Sequence, residues 1–199
     1  LIAEVKVSKL DTKILTIALK KVVSAAKKYK KANAPDVVNC DYWFPAKTQM
    51  QLAKLLTAIN KIDDEKIRKF MLVSFSNCVK KVSYADPRVS VPVKLNPNRY
   101  ENGSKENKKI LERLEQLENV DVFDKFVSIT KENIERFKEL EKVKLNGNIA
   151  KIISIDARNL TLRVNGKSLL KNESIQLIIT SPPYAGAQKY IRASSLNLG

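Results

Sequence analysis

From Asp11 onwards, apolar residues recur at Ile14, Leu15, Ala18, Leu19, Val22, Val23 and Ala26. Steps of three and four put them on one face of a helix, and Asp11 is a suitable N-cap. The lysines Lys20, Lys21, Lys27, Lys28, Lys30 and Lys31 come late in this stretch, where cations suit the negative end of the helix dipole. The same period predicts helices at roughly 46–60, on Met50, Leu52, Leu55, Leu56 and Ile59, and at roughly 63–82, on Ile67, Phe70, Met71, Ser74 and Cys78. Asp63 and Asp64 suit the positive start of the second. Two highly charged helices follow, roughly 104–118 and 121–143. Their stripes, Ile110, Leu114 and Leu117 against Phe123, Phe126, Ile134 and Phe137, predict an antiparallel pair packed on one side.

Between these helices the pattern breaks. Leu1 to Val7 reads as a short strand or the end of a helix. Residues 32–41 form a loop with Pro35, leading into Asp41-Tyr42-Trp43-Phe44-Pro45, the densest aromatic cluster of the chain. Such a cluster is a core plug or a stacking platform for bases. Ser83 to Asn102 is irregular and stiffened by Pro87, Pro92 and Pro97; between Asp86 and Glu101 its only charges are Arg88, Lys94 and Arg99. Such a loop can track a phosphate backbone, or be an ordinary surface loop. After Asn146-Gly147-Asn148 the period changes again. Ile149 to Ile155 predicts a strand, ended by Asp156-Ala157-Arg158. A short extended piece around Leu162 meets a turn at Asn165-Gly166, and a further strand is expected over 175–180. The fold class expected is therefore α/β with a large helical insertion, mostly helical over 11–143 and with part of a sheet over 148–199.

Composition adds a partner class. The 199 residues carry a net charge of +16, with eight arginines and 29 lysines. That balance favours a polyanion, nucleic acid first of all. Lysine supplies sequence-independent attraction to phosphate more than base reading, which leans on bidentate arginine. A lysine-rich solvated surface is the alternative. There is no histidine, and Cys40 and Cys78 lie far apart, so no zinc-site spacing occurs. Two reduced thiols in a cytoplasmic protein are the simple reading. No window approaches the roughly 20 apolar residues of a membrane span, and no membrane partner is expected. The chain begins at Leu1 and ends at Gly199, and is expected to be an internal piece of a longer protein.

The candidate chemistry lies at Thr180-Ser181-Pro182-Pro183-Tyr184, directly after Ile175-Gln176-Leu177-Ile178-Ile179. A double proline restricts its own φ angles and the residues before it. The turn holds one hydroxyl, unmasked carbonyls and one ring in fixed relation. That is a device for gripping a flat base with an exocyclic amine: the amine donates to Ser181 and a carbonyl, and Tyr184 stacks on the ring.

This segment resembles motif IV, Asp/Asn/Ser-Pro-Pro-Tyr, of the DNA methyltransferases that modify cytosine N4 or adenine N6. The preceding run, the following Ala185-Gly186-Ala187-Gln188-Lys189-Tyr190-Ile191-Arg192, and more diffusely the block from Trp43 to Phe70 are also similar to that family. The resemblance implies a Rossmann-like sheet over 148–199, transfer of a methyl group from S-adenosylmethionine, and double-stranded DNA as partner. It implies an acceptor site of Ser181, Pro182, Pro183 and Tyr184, with Asp156 near the cofactor adenine; the other reading of Asp156 is a turn cap. The serine form favours cytosine N4 over adenine N6. On the same basis 1–10 would end the cofactor-binding α/β part, 11–143 would be the insertion, and 144–199 the catalytic part. A restriction-modification partner would suit such an enzyme. The family's Phe-x-Gly-x-Gly cofactor loop is missing, because the glycines at 103, 147, 166, 186 and 199 form no Gly-x-Gly. This piece alone is therefore expected to be inactive. Two other readings stay open: a non-catalytic basic helical module that binds nucleic acid, and a helical interaction domain with no nucleic-acid role.

Overall fold

A computed structural model describes residues 1–33, 39–89, 92–142, 163–164, 167–168, 170 and 173–179. The helices are α1 (Ile2–Val7), α2 (Thr12–Lys28), α3 (Cys40–Trp43), α4 (Ala46–Asn60), α5 (Glu65–Lys81), α6 (Lys105–Glu118) and α7 (Val122–Lys142). α2, α5, α6 and α7 each begin where side chains satisfy free amides of the first turn, whereas α4 follows Pro45 with no side-chain cap. Asp11 Oδ1 accepts from the amides of Lys13 at 2.7 Å and Ile14 at 3.4 Å. Asp64 Oδ1 accepts from Lys66 at 2.9 Å and Ile67 at 3.0 Å. Ser104 Oγ accepts from Asn107 N at 3.2 Å. Asp121 Oδ1 takes Phe123 N at 2.8 Å, while Gln51 Oε1 reaches across from α4 to Val122 N at 3.1 Å.

The main core lies among α2, α4, α5 and α7. Leu15, Leu19, Val22 and Ala26 of α2 meet Leu52, Leu55 and Ile59 of α4, with Phe70, Met71 and Cys78 of α5 and Val122, Phe126 and Ile134 of α7. Phe70 and Phe137 pack edge to face at 5.7 Å, a favoured aromatic geometry. The polar atoms inside are satisfied: Asn133 Nδ2 donates to Ser74 Oγ at 3.0 Å, and Thr130 Oγ1 donates to the Phe126 carbonyl at 2.7 Å. Among the described residues no buried side-chain polar atom lacks a partner. Residues 2–7 are helical, and Val5 and Leu10 join this core.

The α6 and α7 stripes do not pair along their length as expected. α7 packs against α5, α2 and α4, whereas α6 packs chiefly on a 3-10 turn at Pro97–Arg99. The widths of the two stripes explain this. α7 buries Val122, Phe123, Phe126, Ile129, Thr130, Ile134 and Phe137, enough for three neighbours. α6 buries little beyond Ile110 and Leu117, which make a second small core with Leu95, flanked by Tyr84 and Leu114.

The expected α/β class is corrected. The described residues are overwhelmingly helical, and their strands are the two-residue β1 (Arg163–Val164) and β2 (Lys167–Ser168). These pair antiparallel, Arg163 opposite Ser168 and Val164 opposite Lys167, on either side of the Asn-Gly step. This is a minimal hairpin and no part of a Rossmann-like sheet. Residues 175–179, expected in a strand, pair with no other strand, and Leu177, Ile178 and Ile179 are 74%, 79% and 87% exposed. A β-branched run favours extended backbone, but a strand also needs a neighbour to take its amides and cover its side chains. No described residue provides that neighbour. The strand expected at 149–155 lies outside the described residues.

Candidate nucleic-acid interface

The predicted acceptor residues Ser181, Pro182, Pro183 and Tyr184, and Asp156, all lie outside the described residues. The geometry that is described concentrates elsewhere, where the aromatic cluster meets the proline-stiffened loop.

Asn39, with a left-handed φ of 60°, turns the chain into the single turn of α3. Asparagine is among the few residues that tolerate this backbone conformation. Phe44 is then extended and buried in the main core, while Trp43, half-buried, packs against that core and forms an edge-to-face pair with the exposed Tyr42 at 4.9 Å. The aromatic cluster thus divides. Phe44 is the plug, and Tyr42, 52% exposed, is not. Gln49 of α4 holds the turn by donating to Asp41 Oδ1 at 2.8 Å and the Phe44 carbonyl at 3.1 Å.

The loop docks on this turn through backbone bonds. Tyr84 N donates to the Trp43 carbonyl at 2.9 Å, Leu95 N to the Tyr84 carbonyl at 2.8 Å, and Asp86 N to the Val93 carbonyl at 2.7 Å. Ala85 and Lys94 form an antiparallel bridge. In extended backbone, alternate side chains take opposite faces. Leu95 enters the small core, and Lys94 emerges among rings, its Nζ 4.4 Å from the Tyr42 centroid and 4.9 Å from that of Tyr84. Both are cation–π distances. The Tyr84 hydroxyl donates to Glu118, and burial, followed by that carboxylate, pushes the phenol up to about 12. Arg99 sits on the 3-10 turn, which Asn96 caps by accepting from Asn98 N at 3.0 Å. Asn107 of α6 steadies the same turn through its bond to the Pro97 carbonyl at 3.0 Å.

Arg88, expected to face phosphate, is occupied. Its Nε and Nη2 donate to Asp86 at 2.9 and 2.6 Å, a bidentate pair, and its guanidinium lies 5.9 Å from the Tyr100 ring. The hydrogen bonds from Arg88 hold the Asp86 carboxyl below its usual range. Lys94 and Arg99 differ: among the described residues neither is in a salt bridge. Together with Tyr42, Trp43, Pro92 and Asn96 they line an open cavity of about 470 Å³. Within the described residues only Lys27, Lys69, Arg88, Arg136 and Lys138 have carboxylate partners, so most of the positive charge is left facing solvent.

The sequence displayed both halves of this site, the rings at 42–43 and the cations at 94 and 99. Nothing in their spacing said that they meet. The described residues contain no cluster of His, Cys, Asp or Glu able to hold a metal, and no helix long and apolar enough to cross a membrane. Cys40 and Cys78 are free thiols. Compared with known proteins, the chain matches no protein-family model, no curated protein and no solved structure.

Proposed function

We propose that this chain is part of a DNA methyltransferase that methylates the exocyclic amine of a flipped base, cytosine N4 ahead of adenine N6. The observation that carries this reading is Ser181-Pro182-Pro183-Tyr184 after an apolar run and before Tyr190-Ile191-Arg192, in a chain of charge +16. S-adenosylmethionine is the methyl donor that the motif implies. The described residues do not make a pocket for it: the chain has no Gly-x-Gly, and the cavity among the described residues carries cations and rings. This chain's own part is to hold the acceptor. Ser181 Oγ and the Pro182 carbonyl accept hydrogen bonds from the amine and orient its lone pair, and Tyr184 stacks on the base. Extruding the base costs a few kcal/mol, and stacking offsets roughly 1–3 kcal/mol of it.

The test is methyl transfer to DNA by the full-length protein. Tyr184→Phe retains most activity because the ring still stacks. Tyr184→Ala loses most of it while the protein stays folded. Ser181→Ala lowers the rate more than the DNA affinity, since its bond matters most as the amine reacts. Wild-type methylation by Tyr184→Ala would overturn the assignment.

A second reading is a non-catalytic helical module that binds nucleic acid. Lys94 and Arg99, which have no carboxylate partner among the described residues, line one cavity with Tyr42 and Trp43 and favour it, because such a site does not depend on residues 181–184. It is distinguished by DNA binding that persists with no methyl transfer under any condition.

A further inference from the structure

We propose that the cavity between α3 and the 92–99 segment is a nucleotide site, separate from the Ser181–Tyr184 turn, which takes one unstacked base and its phosphate from a single-stranded stretch of DNA. The choice of DNA as the polymer rests on the function proposed above; the site itself rests on four features of the structure. The cavity, about 470 Å³, is within the size range of small-ligand clefts. Its wall includes two aromatic rings at right angles, with Tyr42 half exposed, so a planar base can lie against one ring and abut the other. Its two cations have no carboxylate partner among the described residues. Of the acids on these elements, Asp86 is paired with Arg88, while Asp41 and Glu118 are turned to the neutral donors Gln49 and Tyr84 and form no ion pair with either cation.

The site is also built in advance. Lys94 Nζ is held between the Tyr42 and Tyr84 rings, at cation–π distance from both. The 3-10 turn carrying Arg99 is pinned by Asn96 and Asn107. Backbone bonds from Tyr84 to Trp43 and from Leu95 to Tyr84 fix the cations relative to the rings. A ring beside an anchored cation matches the repeat of a single strand, base next to phosphate. In a duplex the base faces are covered by their neighbours, so the ring wall would find nothing to stack on.

Trp43 is the sole tryptophan of these 199 residues and lies in the wall, so the emission of the protein less that of its Trp43→Phe variant reports occupancy. The probe is a short single-stranded oligodeoxythymidylate, titrated into the full-length protein. Saturable quenching of Trp43 is expected. Lys94→Gln and Arg99→Gln should each weaken binding and each reduce the slope of log affinity against log salt by about 0.7, the single-strand value per phosphate. Tyr42→Ala should weaken it by about tenfold or more, in line with one lost stacking contact. An abasic oligonucleotide of equal length should bind about tenfold more weakly for the same reason. Equal affinity for the abasic strand, or full displacement by inorganic phosphate at equal concentration, would reduce the cavity to an anion site and overturn the proposal. Unchanged affinity in both Lys94→Gln and Tyr42→Ala, with unchanged circular dichroism, would do the same. Tyr184→Ala separates the two assignments. Quenching that survives in this variant while methylation is lost places the two sites apart, as proposed. Oligonucleotide binding at Trp43 with no methylation by the wild type rejects the methyltransferase reading alone. Methylation with no quenching rejects the cavity alone.

Discussion

Asp86 shows how one side chain sets the charge of its loop. By taking two bonds from Arg88 it removes that guanidinium from the surface available to phosphate and ties 86 to 88 in a tight turn. Arg88 lowers the Asp86 carboxyl, so the pair stabilises the loop above the ordinary aspartate range and loses that contribution as pH falls through the lowered value. In an acid titration followed by Trp43 emission, a local transition is expected below about pH 4, the unperturbed aspartate range. It should be absent in Asp86→Asn. Persistence of the transition in that variant would assign it to another carboxylate. Cys78 gives a second expectation at this scale. Burial pushes its thiol up to about 12, and it lies under the start of α7 with its sulfur 3.9 Å from the Val122 carbonyl. Burial, followed by Asp41, also raises the Cys40 thiol, but Cys40 is partly exposed, so a thiol reagent at neutral pH should modify it slowly and reach Cys78 only on unfolding. Rapid double modification of the folded chain would contradict the burial.

Among the elements, α5 and α6 show two ways of holding a helix. α5 lies between α4 and α7, and its start is fixed by Asp64 alone, through two amides. Asp64→Ala should cost about 1 kcal/mol, the usual value of an N-cap, read as a lowered midpoint in urea with an unchanged m-value. A change in m instead would mean that the native or unfolded ensemble had been altered. α6 has a narrow stripe and is held from outside the main bundle. Leu95 and Tyr84 cover it, Asn107 bonds the 3-10 turn, and Arg113 Nη2 donates to the Lys81 carbonyl at 2.7 Å. The element that carries Arg99 and the element that covers Leu95 therefore form one unit with α6. Replacing Phe126 in the main core should be felt more widely. It is fully buried between helices, and Phe126→Ala should cost about 3–5 kcal/mol, as measured by chemical unfolding. A loss below 1 kcal/mol would mean that the bundle closes around the gap.

For the whole molecule, charge is the dominant property. A net +16, with few ion pairs among the described residues, leaves long-range attraction to any polyanion. DNA binding by the full-length protein should weaken steeply with salt, each phosphate contact adding about −0.9 to the slope of log affinity against log salt for duplex. A slope near zero would reject the charge as a DNA-binding device. The slope and the Trp43 signal test different things, since diffuse lysines contribute to the first and only the cavity contributes to the second.

The sequence by itself determined the five long helices, but not the short α1 and α3. Asp11 and Asp64 mark two of their starts, and apolar period marks their lengths closely, because capping and helical spacing are local and are written within a few residues. It also displayed the net charge and the Ser-Pro-Pro-Tyr motif. Only the tertiary structure decided three matters that depend on residues distant in the chain. α7 left α6 for the main bundle, since the area it can bury depends on what other helices offer. Residues 175–179 are unpaired despite their β-branched character, since strand formation needs a neighbour that propensity cannot supply. And Lys94 met Tyr42, some fifty residues earlier, because backbone bonds between 43, 84 and 95 bring the loop onto α3. Those contacts are set by packing and by the hydrogen-bonding needs of buried backbone, which act across the fold and leave no periodic trace in the chain.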